Sequence, residues 1–284
     1  TKLKNEANSI LNSNKKYQYF SERFKKTISK SVTVISEQMR KGEFDIFKSE
    51  FDFGDFKDSD PIKLELPSKE TVYLKGRVDR IDKVELNGET YIRIVDYKSG
   101  SKSFDLNELY YGLQIQLLVY LDAILESANR GDGNLNPAAI LYCRIDNPIA
   151  KFNEDKDDEE VREAILKDMR MKGLIIKDAH IIKEMDKSLA DGERKSSLVI
   201  PANLTKDGGI GKNTNGVSYE EFDVLRNYVK STVKNLCGEM VSGNINIDPY
   251  KNKNGTSCDF CSYSAICQFD TTMKENKYRI LNNK

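Results

Sequence analysis

The sequence predicts an α/β fold in which a mixed central sheet is flanked by helices. Three observations carry this prediction: two alternating strand patterns joined by Asn87-Gly88, an amphipathic pattern over 106–125, and an apolar run over 138–145. Residues 71–83 place Val72, Leu74 and Val78 at alternating positions, and 85–98 continue with Tyr91, Ile92, Ile94 and Val95. Asn-Gly supplies the positive-φ pair of a tight hairpin, so these two strands are antiparallel neighbours.

Taken in order, residues 1–43 read as an N-terminal helical segment and 44–54 as a strand antiparallel to the hairpin pair. After 89–98 comes a helix over 106–128, with Leu106, Leu109, Leu113, Leu117, Leu121 and Leu125 on one face. Residues 138–145 read as a buried strand added to the sheet. The acids from Glu154 to Glu163 open a helix that runs to about Met171, a placement its dipole favours. Residues 187–217 are polar and glycine-rich, a strand or hairpin within loops. Gly208-Gly209-Ile210-Gly211-Lys212 is a turn and not a phosphate loop, because Lys206 and Asn213 occupy places where that motif needs glycine and Ser or Thr. A helix over 219–241 leads into a cysteine-containing tail. The expected division is 1–43, a core over 44–250 with an insertion around 150–217, and a C-terminal segment over 251–284.

The chemistry sits on the hairpin strands, in Gly76-Arg77-Val78-Asp79-Arg80-Ile81-Asp82 and Ile94-Val95-Asp96-Tyr97-Lys98-Ser99-Gly100. Side chains alternate along a strand, so Asp96 and Lys98 share a face and Tyr97 points to the other. Asp79 can lie across from them. Two hard carboxylates suit Mg²⁺ or Mn²⁺ beside a phosphodiester, with the Tyr97 carbonyl as a further ligand. Lys98 then orients or deprotonates the attacking water, or offsets charge in the transition state. Asp-x-Lys alone recurs by chance in a chain with 32% charged residues; here it follows an apolar strand and faces a second aspartate-bearing strand. Gln114 and Gln116 interrupt the next, apolar helix, and Gln116 shares a face with Tyr120 four residues on. These polar groups are candidates for contact with phosphate or water.

The order G-R-V-D-R-I-D, I-V-D-Y-K-S-G, Y-Y-G-L-Q-I-Q-L-L-V-Y-L-D resembles the RecB-type PD-(D/E)xK nucleases, and among them the nuclease domains of the AddB family. The resemblance implies a restriction-endonuclease-like core and a metal-dependent deoxyribonuclease. It implies a metal site formed by Asp79, Asp96 and Lys98, bordered by Gln116 and Tyr120. It further implies an AddA-type helicase partner, single-stranded DNA ends as substrate, and a role in processing double-strand breaks for recombination. RecB-type enzymes usually add an acid or histidine from a preceding helix. Residues 5–40 offer Glu6, Glu22 and Glu37 without a match to that pattern, and Glu50 is another candidate.

Five cysteines are present: Cys143, Cys237, Cys258, Cys261 and Cys267. No signal peptide or membrane-spanning run is visible, so a cytoplasmic, reducing setting is expected and disulfides are not. Cys258, Cys261 and Cys267 form a close-set thiolate group of the kind that holds zinc or an iron–sulfur cluster. The only histidine, His180, is no natural fourth partner for zinc. The AddB resemblance implies a [4Fe–4S] cluster, whose fourth cysteine in that family lies far upstream. The chain starts at Thr1 without that segment and so reads as a C-terminal portion, its cluster incomplete or absent. Cys143 and Cys237 fall in apolar stretches and read as core residues.

With 45 basic and 45 acidic residues among 284, the chain has no net charge, so DNA affinity must come from local patches. One is Lys15, Lys16, Arg23, Lys25, Lys26 and Lys30; near the metal strands, Lys75, Arg77, Arg80, Lys102 and Arg144 are further candidates. Two other readings compete. One is a non-catalytic module that grips DNA or docks a partner, disfavoured by the intact Asp79, Asp96 and Lys98. The other is a Cas4-like stand-alone nuclease, disfavoured by the missing upstream cysteine and the AddB-like tail over 267–281.

Overall fold

The structure is a computed structural model that describes residues 14–54, 58–100, 102–130, 134–147, 157–190, 192 and 195–282. Its centre is a six-stranded mixed sheet built from β1 (Asp45–Phe53), β4 (Gly76–Leu86), β5 (Glu89–Lys98), β6 (Leu135–Arg144), β7 (Lys172–Ile176) and β8 (Gly216–Val217), in that spatial order. β2 (Ile62–Glu65) and β3 (Thr71–Leu74) form a separate two-stranded ribbon. The expected 71–83 strand is therefore two: β3 pairs with β2, and after Lys75 the chain leaves that ribbon to join β1 and β5.

β1, β4 and β5 are antiparallel neighbours, as the sequence predicts. Asn87 and Gly88 take φ of 53° and 82°, the signature of a type I′ turn, and fix a register in which Leu86 faces Glu89 and Asp82 faces Arg93. β6 joins β5 in parallel, aligning Asp96 with Tyr142 and Lys98 with Arg144. Such a link needs a crossover, supplied here by α2 (Leu106–Tyr110) and α3 (Gln116–Arg130). α3 packs on β6, β5 and β4 and buries Leu117, Leu118, Leu121 and Leu125. With Ile81, Ile92, Ile94, Ile140 and Leu141 all inaccessible, this is the main core, each such side chain contributing about 1.5–3 kcal/mol.

The predicted continuous helix over 106–128 is interrupted. Gly112 adopts a left-handed φ of 77°, Gly112 N–H donates to the Leu109 carbonyl, and α3 restarts at Gln116. The leading helix α1 (Lys15–Arg40) is capped by Asn14, whose side chain accepts from Tyr17 N–H. It buries Ser31, Val34 and Gln38 and packs Val34 with Leu166 and Met169 at the end of α4 (Asp158–Asp168). The expected acidic helix is thus present from Asp158, while Glu154 lies outside the described residues. The short α5 (Ala179–Met185) follows β7. Gly208 takes a φ of 81° in a turn closed by Thr205 and Gly209, consistent with the absence of a phosphate loop.

The chain divides into two compact units. One comprises residues up to Ile62, Tyr73–Phe104 and Gln116–Asn227, and holds the six-stranded sheet. The other comprises Lys63–Val72, Asp105–Ile115 and Tyr228–Lys284. Within the second, Tyr110 stacks on Tyr228 at 5.9 Å, and β9 (Tyr250–Asn252) is flanked by β10 (Gly255–Thr256) and β11 (Arg279–Ile280). The helix α6 (Tyr219–Val241) ends in this unit, and α7 (Ser264–Cys267) follows the β9–β10 hairpin. No helix among the described residues is long and apolar enough to cross a membrane.

Candidate active site

The β4–β5 pairing ends at Arg80 opposite Val95. Beyond that point β4 stays with β1, where Val78 faces Phe51, and β5 stays with β6, where Lys98 faces Arg144. The sheet therefore forks, and Asp79, Asp96, Tyr97 and Lys98 occupy the fork. On the face that carries Asp96 it is bridged directly by Asp79, whose Oδ2 accepts from the Tyr97 N–H at 2.8 Å.

Strand alternation puts Asp79, Asp96 and Lys98 on one face. Asp96 is 2% exposed, and its buried Oδ2 has no hydrogen bond of good geometry, although Lys98 Nζ lies 2.6 Å away as an ion pair. Burial lifts the Asp96 carboxyl above the usual carboxylate range; Lys98 opposes the shift, and the nearby Asp79 charge adds to it. A buried carboxylate oxygen without a well-aligned donor, beside a second carboxylate, fits a hard divalent cation. Among the described residues no group of three or more His, Cys, Asp and Glu side chains gathers on one such point. A cation held by Asp79 and Asp96 would have to complete its shell from main-chain oxygen, water or substrate.

Gln116 is the first residue of α3, and that placement brings it to Lys98. Lys98 Nζ donates to Gln116 Oε1 at 3.4 Å, and Gln116 Nε2 donates to Tyr120 OH at 2.7 Å. The five predicted residues Asp79, Asp96, Lys98, Gln116 and Tyr120 thus meet in one connected group. The Tyr120 ring packs edge-on against Phe53, 5.9 Å between centroids, and Gly76 leaves space for both. A Cβ at Gly76 would fall 2.6 Å from Phe53 Cζ and 3.2 Å from Tyr120 Cε1. Because Phe53 is 1% exposed and has nowhere to turn, Gly76→Ala is expected to cost about 1–3 kcal/mol in urea denaturation and to displace Tyr120.

Several sequence candidates fall elsewhere. Gln114 is spent on the Asp105 N–H and on Glu108, inside the helix break, instead of facing phosphate or water. Glu22 pairs with Lys25 and Glu37 with Arg162, and Glu6 lies outside the described residues. Glu50 stands in β1 with a φ of 52°, 3.6 Å from Arg77. Arg77 also reaches Asp52, and Arg144 is held by Asp146 and Asp168. Arg80 is buried on the back of the sheet, so it is no phosphate holder. Lys102 remains exposed, over the Tyr142 ring that Lys98 also faces.

Cys143 and Cys237 are buried as expected, and desolvation pushes the Cys143 thiol up to about 11. Cys258 and Cys261 lie in and just after the 3₁₀ turn Ser257–Phe260, and Cys267 ends α7; none of the three is buried. They do not converge as a three-thiol group. A cluster here is supported by their spacing alone.

The opposite face carries a buried ionic cluster. Asp82, fully buried, accepts from Arg93 Nε at 2.8 Å and lies 2.9 Å from Arg80 Nε. Its sequence signal was available, since counting back from the Asn87-Gly88 turn sets Asp82 opposite Arg93, with Arg80 one alternate position away.

The chain is similar to a subunit of the ATP-dependent helicase/deoxyribonuclease of Clostridioides difficile strain 630, at 62% identity over 97% of this chain and 24% of that protein. The same-named protein of Clostridium perfringens strain SM101 is 50% identical over 99% of the chain, and that of Caldanaerobacter subterraneus subsp. tengcongensis 48% over 97%. The chain spans about a quarter of the length of these relatives. Residues 2–268 match the PD-(D/E)XK nuclease superfamily. By sequence match over nearly its whole length, the chain belongs to the PD-(D/E)XK nuclease superfamily.

Proposed function

We propose that this chain is the nuclease portion of an AddB-type protein and that it hydrolyses phosphodiester bonds of single-stranded DNA ends at the β4–β5 fork. The observation that carries this reading is the meeting of Asp79, Asp96, Lys98 and Gln116 on one face of the fork. Asp79 and Asp96, with the Tyr97 carbonyl, would hold Mg²⁺ or Mn²⁺. When bound, the ion would supply Lewis-acid stabilisation to the charge that develops on the phosphoryl oxygens.

The chain's own residues supply the rest. Lys98, held between Asp96 and Gln116, orients the attacking water and offsets negative charge as the new P–O bond forms and the scissile P–O bond breaks. Tyr120 fixes Gln116 and so limits the wandering of Lys98. Lys102, exposed over the Tyr142 ring and within electrostatic reach of Asp96, would attract a phosphate of the substrate. The name of the relatives supports a helicase complex as the setting, with an AddA-type partner feeding strands during the processing of double-strand breaks. The close-set cysteines support a [4Fe–4S] cluster in the full-length protein, to be checked by iron and sulfide analysis.

The test is cleavage of end-labelled single-stranded DNA by the full-length protein in Mg²⁺ or Mn²⁺. Asp96→Ala is expected to abolish cutting by this domain while DNA binding persists. Full activity in that variant would remove Asp96 from the site. Binding without any metal-dependent cutting by the unaltered domain would favour the DNA-gripping alternative.

A further inference from the structure

We propose that Arg80 is a positioning residue for this site: anchored by Asp82 behind the sheet, it fixes Tyr97 and thereby sets Asp96 against Lys98 in front. The proposal rests on the reading of the fork as a nuclease centre. Tyr97 lies between Asp96 and Lys98 in the chain and points to the opposite face. At this position β5 has passed the end of its pairing with β4. Its link to β4 is made instead by two side chains. In front, Asp79 accepts from the Tyr97 N–H; behind, Arg80 Nη1 donates to Tyr97 OH at 2.9 Å, with its guanidinium 5.7 Å from the ring centroid.

The rear link is anchored in the part of the hairpin that does not fork. Arg80 is 3% exposed, and its Nε lies 2.9 Å from Asp82 Oδ1 as a buried ion pair without a hydrogen bond of good geometry; Asp82 also holds Arg93 directly across the ladder. Arg93 in turn lies over the Phe44 ring at 4.8 Å. Buried charges of this kind are costly, and apolar side chains of similar volume commonly serve stability as well or better. What an apolar trio cannot do is hold a tyrosine hydroxyl in a fixed direction. Displacement of catalytic groups by about 1 Å can lower turnover about a hundredfold, so a fixed Tyr97 matters to the groups on either side of it.

The experiment compares Arg80→Met, Arg80→Lys, Tyr97→Phe and the Arg80→Met/Tyr97→Phe pair in the full-length protein, with Asp96→Ala as control. Arg80→Met and Tyr97→Phe are each expected to lower kcat about 10–100-fold and to weaken Mn²⁺ binding, read from the electron paramagnetic resonance of free Mn²⁺, by about tenfold. The KM for single-stranded DNA should move by no more than about threefold. The double variant should be no worse than the poorer single one, because both break the same link. Arg80→Lys, which keeps the charge with a single donor group, should recover only part of the loss. Amide exchange should quicken at 96–98 and stay slow at 81–85.

Tyr97→Phe removes one hydroxyl and leaves the charged cluster whole, so it decides the matter even where Arg80→Met fails to fold. Unaltered kcat and Mn²⁺ affinity in Tyr97→Phe, with Asp96→Ala inactive, would overturn the positioning role and leave the nuclease reading standing. Activity in Asp96→Ala would overturn both.

Discussion

Asp96→Asn is expected to abolish DNA cleavage and, in the absence of divalent metal, to raise the melting temperature of the protein. The two effects share one cause. Asp96 is buried, and burial is the largest influence on its carboxyl, holding it above the usual carboxylate range. A carboxylate raised on folding adds stability when protonated, fully so below its unfolded value near about 3.9; that contribution is lost as pH rises through the folded value. Above the folded value the metal-free protein therefore carries an ionised, desolvated group that asparagine would replace with a neutral one of the same size. Lys98, whose side chain is 28% exposed, can turn to water when its partner is neutralised. The advantage of the variant should shrink as pH falls through the acid range. Mn²⁺ should reverse the order by stabilising only the unaltered protein, by about 2.7 kcal/mol at a hundred times the dissociation constant. Cleavage should fall by about 10²–10³-fold or more, since the change removes a metal ligand and the anchor of Lys98 together. A lower melting temperature for metal-free Asp96→Asn would show that the carboxylate serves the fold and not the ion.

The strands that carry the site were legible because their signals are local. Asn87-Gly88 fixes the hairpin, alternation fixes the faces, and together they bring Asp79, Asp96 and Lys98 to one side without any knowledge of the remaining chain. Gln116 was found from its place on the same helix face as Tyr120, and the structure joins it to Lys98. Other features depend on partners distant in sequence. The break at Gly112 was hidden because the apolar spacing runs on across it, and only the left-handed glycine ends the first helix. The split at Lys75 depends on β2, which pairs with β3 and leaves β4 to β1. In the sequence, Arg80 is a phosphate candidate because it stands beside the metal strands. A sheet covered on both faces reverses that expectation, since Arg80 and Asp82 then turn inward on one side while Ile81 turns inward on the other.

Asp82→Ala is expected to be the most destabilising of the changes considered, at about 3–5 kcal/mol, because it leaves the Arg80 and Arg93 guanidinium groups buried without their shared carboxylate. Against a total stability of about 5–15 kcal/mol this brings the domain close to unfolding. Urea denaturation should show the midpoint falling while the slope stays the same. The informative companion is the triple change Arg80→Met, Asp82→Leu, Arg93→Met, which removes every charge of the cluster at once. Apolar replacement of a whole buried ionic group is commonly neutral or stabilising, so this variant should regain most of the lost stability. Its nuclease activity should nevertheless stay low, because no group remains to hold the Tyr97 hydroxyl behind the fork. Recovery of stability with recovery of cleavage would mean that the cluster only fills the back of the sheet. Recovery of stability without cleavage would separate the two roles and assign the buried charges to the alignment of Asp96 and Lys98.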